Sequence, residues 1–491
     1  MNGTTARTER LQHGGSSGRL VKNWAYLLTS SAFGQLLGMI ALIRIARVLT
    51  PAGYGHFNLV QTTAGIGLIL AGLGMRQTII RDSARSPDRA GTLFAAGLWI
   101  RASFGVLVSA GIVVYAKLSP EAFPVSLSGF AILLLFGQIL WDTIESLSYG
   151  SQRMEYPSAI NAIGSIFWIL WIWGAPETWL TVASVSCSFA GLQVLKAMAL
   201  TSRFGKIAPL AEARSAGAAT DESRRLVVDS LPFYWLALMT MVQNQLPILV
   251  LAERSNSTQV GLFNAGFRLL NPLQLLMGTG LSALYPYLSR ARAHDTVRYM
   301  RTVELAFRMI AVVGGGAALA ISLVRFEIVE LLFGSAYAPS ADAMAFQCWF
   351  TVLFAVLSLL GTSLAACDKQ RWLALLTTAY TIVALPLVWI GTARGATGLA
   401  AAMVAGAAIN LVYHWIVFQK SLPGRIAPGV VLRSFALLGG AMASSWLFSR
   451  AFIAPVRILM AISILGLLLK FAWGEWKRFG TLGEADGEEG S

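Results

Sequence analysis

Charge is the scarcest resource in this chain. Of its 491 residues only 13% are Asp, Glu, Lys or Arg, while 56% are hydrophobic. That balance excludes both an ordinary soluble domain and a disordered polar chain. Cysteine is nearly absent. Cys187, Cys348 and Cys367 lie in or beside apolar runs without C-x-x-C spacing, so small buried side chains are expected rather than metal ligands or disulfides. No G-x-x-x-x-G-K-[ST] loop occurs, which excludes nucleotide hydrolysis by this chain alone. No H-E-x-x-H or paired-Cys site appears, and the polar connections are too short to house a catalytic fold. No cofactor and no metal are therefore expected, although size alone leaves an embedded enzyme open. The 38 basic residues outnumber 24 acidic ones for a formal charge of +14. In a soluble protein this would suggest nucleic acid. Here the basic residues sit mainly in short connections between apolar runs, where they orient helices, and no nucleic-acid partner is expected.

What the chain has in abundance is apolar runs of about twenty residues, each long enough to cross a roughly 30 Å hydrocarbon core as a helix. The ten-residue alternation of a spanning barrel is missing. The expected fold is an all-α polytopic membrane protein of about fourteen helices. They are placed at 24–48, 56–80, 91–116, 124–147, 157–175, 177–200, 231–252, 260–286, 303–325, 340–366, 371–393, 396–418, 430–449 and 454–473. Residues 1–23 are polar (Asn2, Ser16, Ser17) and basic (Arg7, Arg10, Arg19, Lys22), a cytoplasmic tail, and the run after Trp24 is a retained signal-anchor helix. Alternate connections hold Arg81, Arg85 and Arg89; Arg153; Arg203, Lys206, Arg214, Arg224 and Arg225; Arg290, Arg292, Arg298 and Arg301; Lys369 and Arg371; Lys420 and Arg425. The other side holds Lys117, Arg254, Arg325, Arg394, Arg450 and Arg457. This bias places both termini in the cytoplasm.

Residues 201–230 are basic and rich in Ala, Gly and Ser, a cytoplasmic linker between a first lobe at 24–200 and a second at 231–418; two further helices span 430–473, and 474–491 form a cytoplasmic tail. An internal match supports the division. Gly55-His56-Phe57-Asn58 opens the second helix as Gly261-Leu262-Phe263-Asn264 opens the eighth, and in that register Gly72 and Gly74 fall on Gly278 and Gly280. Both helices hold second place in their lobes with the same orientation, so the repeat is parallel.

An ionisable group facing lipid at mid-membrane costs roughly 2.5 to 3.5 kcal/mol, so depth decides which ones matter. Arg101 lies too deep in the third helix to snorkel easily and needs a partner or water. Asp142 and Glu145, three apart, share a face of the fourth helix. A structural ion pair between neighbouring helices is the first reading and substrate or proton binding the second. Asn264, Arg268 and Asn271 fall at i, i+4 and i+7, a polar stripe that should face protein or water, and Pro272 frees a backbone carbonyl beside it. Gln243, Asn244 and Gln245 add three amides to the seventh helix, either lining a hydrated cavity or bonding between helices. Arg44 and Arg47 share a face near the outer end of the first helix, where they line a cavity or snorkel. Arg308 and Lys196 are snorkelling anchors, and Asn410 with His414 is either an interfacial pair or a proton relay.

Several loose motifs, fairly specific in their order, carry a family resemblance over 24–420. They are Ala46-Arg47-Val48-Leu49-Thr50-Pro51-Ala52-Gly53-Tyr54-Gly55, Gly72-Leu73-Gly74, Val260-Gly261-Leu262-Phe263-Asn264-Ala265, Leu331-Leu332-Phe333-Gly334-Ser335-Ala336-Tyr337 and Gly395-Ala396-Thr397-Gly398-Leu399-Ala400. With them the chain resembles the polysaccharide flippases of the multidrug/oligosaccharidyl-lipid/polysaccharide exporter superfamily. The resemblance implies two six-helix lobes rocking about a central cationic cavity, with two further helices. The implied substrate is a polyprenyl-pyrophosphate-linked glycan carried across the bacterial inner membrane for exopolysaccharide, O-antigen or capsule synthesis. It also implies the lipid bilayer, a polysaccharide polymerase and a chain-length regulator as candidate partners. Arg268 lies on the helix that carries a cavity arginine in the related lipid II flippases, and Arg44 lies on another such helix. The chain departs from many relatives in having Gln245 where they carry an acidic residue. Two other readings stay open. A cation-coupled drug exporter would favour acidic or aromatic cavity residues. A membrane glycosyltransferase, polymerase or ligase would show a sizeable outer loop with carboxylates.

Overall fold

Hydrocarbon offers the backbone no water, so a spanning segment must close its hydrogen bonds on itself. The computed structural model describes residues 3–207, 216–367, 369–421 and 428–488, and among them it contains helices and no strand. In chain order these are α1 (Gly3–Gly72), α2 (Met75–Arg85), α3 (Ala90–Leu118), α4 (Val125–Gly150), α5 (Glu155–Gly174), α6 (Val182–Thr201), α7 (Phe204–Ile207), α8 (Ala216–Asn244) and α9 (Leu246–Arg254). There follow α10 (Ser257–Leu269), α11 (Asn271–His294), α12 (Thr296–Met309), a π-turn at Ile310–Gly314, α13 (Gly315–Leu323), α14 (Arg325–Phe333) and α15 (Ser340–Ala365). The last four are α16 (Gln370–Thr392), α17 (Gly395–Ser421), α18 (Pro428–Ala451) and α19 (Ala454–Glu488). Eleven described stretches are long and apolar enough to cross a membrane. Exposed Leu107, Ile163, Leu375 and Ile382 give them the apolar outer surface that lipid covers. The chain is an all-α multi-pass membrane protein. A count of about fourteen crossings is compatible with this set, since α1 is two helices merged across a kink and α11 and α18 add further lengths of 24 residues.

The breaks follow local chemistry. Pro51 has no N–H and disfavours helical backbone at the residue before it, and Thr50 turns at φ 63, ψ 167. The second expected helix, 56–80, ends early, because Leu73 (φ 47) and Gly74 (φ 71) both adopt left-handed backbone and redirect the chain into α2. A Cβ on Gly74 would overlap the backbone N of Tyr234, so α8 passes too close for any other residue there. At the chain ends the helices run further than the sequence suggests. α1 begins at Gly3 and α19 reaches Glu488, both within segments read as polar tails.

The chain forms two compact units, Met1–Gly261 and Leu262–Ser491, and residues 208–215 of the 201–230 segment lie outside the described residues. Leu226 is buried with Met75 and Ile79 of α2, Leu93 and Ile100 of α3, and Ile144 and Leu147 of α4, which ties α8 into the first unit. The core of the second unit gathers Tyr299 and Phe307 of α12, Val356, Leu359 and Leu360 of α15, and Ala407 and Phe418 of α17.

Within the first unit the two repeat-related glycines meet. A Cβ on Gly55 would overlap the carbonyl oxygen of Ser257, and one on Gly261 would overlap that of Pro51. Pro51 and Ser257 are separated by the same lag as Gly55 and Gly261, so the contact has local two-fold symmetry. Backbone cannot yield as a flexible side chain can. Gly55→Ala should therefore lower the fraction of detergent-solubilised protein that stays monodisperse on heating, a loss of about 1–3 kcal/mol. Gly38→Ala, where no atom approaches the added methyl group, should leave it unchanged.

Candidate functional site

The polar stripe read from the sequence lies across a helix break. Pro272 withholds the donor that would pair with the Arg268 carbonyl, and α10 gives way to α11 at Leu270 (φ −90, ψ −7). Asn264 is buried, while Arg268 and Asn271 are half-buried. The first unit has a second break of the same origin. Pro247 withholds the donor for the Gln243 carbonyl, α8 ends at Asn244 and α9 begins at Leu246. Gln243 and Gln245 are half-buried there, with Gln245 packed on the bare backbone of Gly65 in α1. Asn244 is exposed, and its Nδ2 donates to the Thr240 carbonyl at 2.9 Å. Arg44 and Arg47 diverge in environment. Arg44 donates through Nη2 to the Ala175 carbonyl at 3.2 Å, at the end of α5, and lies 5.2 Å from the Trp173 ring centroid, whereas Arg47 is exposed.

Arg101, Asp142 and Glu145 come together, with a fourth member that the sequence reading passed over. Arg101 is fully buried, and its Nη1 donates to Asp142 Oδ2 at 2.8 Å and to Thr143 Oγ1 at 3.0 Å. Arg76 donates to the other Asp142 oxygen and pairs with Glu145 Oε2 at 2.9 Å through Nη2. Tyr149 completes Glu145 by donating to Oε1 at 3.3 Å. The quartet is neutral, and both carboxylates are engaged by guanidinium groups from other elements, which suits an interhelical staple. Arg76 went unnoticed because a helix drawn through 80 placed it in an unbroken span. The left-handed pair Leu73 and Gly74 instead aims it back at α4. The signal was the Gly72-Leu73-Gly74 motif itself. Of the residues read as membrane anchors, Lys196 lies 4.9 Å from the Trp141 ring centroid and Arg308 pairs with Glu304 at 2.7 Å, while His414 Nδ1 lies 3.1 Å from the Asn410 carbonyl.

The second unit has its own cluster, where Arg325 and Arg450 lie over the Trp446 ring and Arg325 and Arg457 lie over that of Phe326. Arg325 is fully buried, pairs with Asp342 at 3.0 Å and lies over the rings of Phe326 and Trp446. Arg457 pairs with Glu327 and donates to the Ser449 carbonyl at 2.6 Å, and Arg450 lies 4.9 Å from the Trp446 ring centroid. These contacts fasten the α18–α19 connection to α14 and α15.

Removing one partner of a buried pair leaves an uncompensated charge and costs about 3–5 kcal/mol. Asp142→Asn should accordingly collapse the yield of monodisperse protein, and Arg76→Gln, which leaves buried Glu145 without its guanidinium partner, should lower it as well. The double variant Arg101→Leu with Asp142→Leu should recover most of the yield lost by Asp142→Asn. Failure of that recovery, measured by size-exclusion profile and thermal stability, would assign the quartet a role beyond packing.

The family model described as "Polysaccharide biosynthesis protein" matches residues 20–292, more than half of the chain. The putative O-antigen transporter of Escherichia coli strain K12 is 21% identical over 326 residues, 65% of this chain and 76% of that protein. Among solved structures, the lipid II flippase MurJ in an inward closed conformation superposes with a TM-score of 0.68 at 11% identity, covering 92% of this chain and 99% of that one. The Vibrio cholerae MATE transporter VcmN superposes at 0.53 with 15% identity over 87% of this chain and all of that one. These likenesses establish a fold shared with membrane transporters. With the match across residues 20–292, the chain belongs to the polysaccharide biosynthesis protein family.

Proposed function

We propose that the protein is a flippase, not an enzyme, that moves polyprenyl-pyrophosphate-linked oligosaccharide units across the bacterial inner membrane by alternating access. The units would serve exopolysaccharide, O-antigen or capsule synthesis. The observation that carries this reading is the family match over residues 20–292, and the O-antigen transporter and lipid II flippase likenesses support it. The lobes are assigned to 24–200 and 231–418, with both termini in the cytoplasm, in keeping with the distribution of basic residues. A polymerase and a chain-length regulator are the partners such a pathway would supply.

The substrate has three chemically distinct parts, and the chain has residues suited to each. A pyrophosphate calls for a guanidinium able to form bidentate charge-assisted hydrogen bonds. We assign this to Arg268, placed where a helix break leaves a carbonyl without its helical donor. Glycan hydroxyls call for amides and water, a role assigned to Asn264, Asn271, Gln243, Asn244 and Gln245. Arg44 and Arg47 are assigned to guiding the anion towards the outer side. The prenyl chain stays in lipid. An inside-negative potential favours outward movement of an anion by about 2.3 kcal/mol per charge per 100 mV, so the substrate's own charge supplies a drive.

In reconstituted vesicles, exposure of a polyprenyl-pyrophosphate oligosaccharide on the opposite leaflet should proceed with wild type and fall at least about ten-fold in Arg268→Ala, with Arg268→Lys intermediate. A folded Arg268→Ala that transports normally would remove Arg268 from the site, and wild type that moves no glycan would sink the flippase reading. Imposing a potential negative on the side of substrate loading should accelerate transfer, and collapsing it with an ionophore should slow it.

A further inference from the structure

Three arginines from separate elements line one pocket of the first unit that the proposed transport site does not use. Arg85 closes α2, Arg89 lies at the entry to α3 and Arg225 stands on α8; Asp82, Ser86 and Leu93 complete the lining. The cavity volume is about 60 Å³, enough for a phosphate group and too little for an oligosaccharide. Its only carboxylate is already engaged, since Asp82 accepts from Arg81 Nε at 2.7 Å. Outside the lining, Asp229 is shared between Arg81 at 3.3 Å and Arg225 at 3.7 Å. Arginines outnumber acids in the pocket, so its field favours an anion.

The framework is rigid. Leu226, next to Arg225, is buried in the core formed with Met75, Ile79 and Leu93. Ser230 Oγ, buried, donates to Thr78 Oγ1 at 2.8 Å and joins α8 to α2. The loop from α2 to α3 is closed by Ser86 N donating to the Asp82 carbonyl at 2.9 Å and Arg89 N donating to the Ser86 carbonyl at 3.0 Å. Arginines that merely orient a helix need not share a pocket, whereas these three line one.

Leading away from the pocket, Arg225, Val228, Pro232 and Leu236 fall at i, i+3, i+7 and i+11 and are all exposed, one stripe of α8 that is charged at one end and apolar beyond. Free phosphate has no use for such a stripe. A lipid does, with its phosphate among the guanidinium groups and its chain along the helix. We propose that Arg85, Arg89 and Arg225 form a binding site for the phosphate of an anionic lipid, lying at the membrane surface on the side richer in basic residues. The ligand chemistry is a phosphate ester on a long apolar chain, supplied either by a phospholipid headgroup or by a polyprenyl carrier. The site stands independently of the flippase reading because binding is measured without transport.

The test is native mass spectrometry of the delipidated full-length protein in detergent, titrated separately with phosphatidylglycerol, phosphatidylethanolamine and a polyprenyl monophosphate. Wild type should retain phosphatidylglycerol or the polyprenyl phosphate in preference to phosphatidylethanolamine. The combined Arg85→Gln, Arg89→Gln and Arg225→Gln variant should lose that preference by about ten-fold or more in Kd. Loss for phosphatidylglycerol would identify a phospholipid site, and loss for the polyprenyl phosphate alone a carrier site. Arg224→Gln, an exposed neighbour outside the lining, should change neither. If the triple variant aggregates, exposed Arg225→Gln alone should weaken binding by about three-fold. Equal lipid binding by wild type and Arg225→Gln, or an Arg224→Gln effect as large as that of Arg225→Gln, would overturn the proposal.

Discussion

An unpaired backbone amide in hydrocarbon costs several kcal/mol, and the architecture of this protein follows from where the chain departs from helix nonetheless. Three departures carry a proline within two residues: Thr50 before Pro51, Gln245 before Pro247 and Leu270 before Pro272. A fourth uses left-handed backbone at Leu73 and Gly74. A fifth is the π-turn at Ile310–Gly314, running into Gly315 and Gly316, where the side chains of Leu438 and Leu468 fill the space a Cβ would take. Each break does more than bend a rod. Thr50 and Pro51 bring Gly55 onto Ser257, Leu73 and Gly74 send Arg76 to the α4 carboxylates, and the two later prolines fall among the amides and Arg268.

The same low dielectric governs the charges. Few ionisable groups occur deep in the chain, and those that do are engaged according to their burial. Arg101 and Arg325, both fully buried, each have a carboxylate and a further oxygen acceptor. In each unit the ion pairs join separate helices: α4 to α3 and to the start of α2 in the first, and α14 to the next helix, α15, and to distant α19 in the second. Such pairs contribute little net stability against an apolar alternative, but they penalise any arrangement that separates them. Their role is better described as selecting one packing than as strengthening it.

A carrier of lipid-linked anions has to reconcile three solvents along one substrate. On the proposed function the chain's resources would be distributed accordingly: apolar helix surface for a prenyl chain, amides and an arginine at helix breaks for polar groups, and the proposed surface arginines for phosphate. The proposed surface pocket and the proposed transport residues use the same bidentate chemistry at different depths. Depth decides their consequences. An arginine at the surface remains hydrated when its ligand leaves, whereas one within the span must trade one partner for another.

Apolar run length and the distribution of Arg and Lys were enough to specify an all-α multi-pass protein, because both report directly on the cost of placing groups in hydrocarbon. Pro51 and Pro272 lie at helix breaks because a missing donor acts locally, whereas the spans drawn over 56–80, 231–252 and 303–325 ran through the breaks at Leu73, Gln245 and Ile310. The sequence also raised a pairing of Arg101 with Asp142, as depth alone demands a partner for a buried cation. What it did not contain was direction. The left-handed turn at Leu73 and Gly74 decides that Arg76, and not only Arg101, meets Asp142 and Glu145. The packing of Leu226 decides that α8 joins the first unit and carries Arg225 to Arg85 and Arg89. The contacts of Arg325 and Arg450 with Trp446, and of Arg457 with Phe326 and Glu327, join residues spread over more than a hundred positions. Periodicity records which face of a helix is polar, but the partner of that face is set by how helices cross, and that depends on contacts summed over the whole fold.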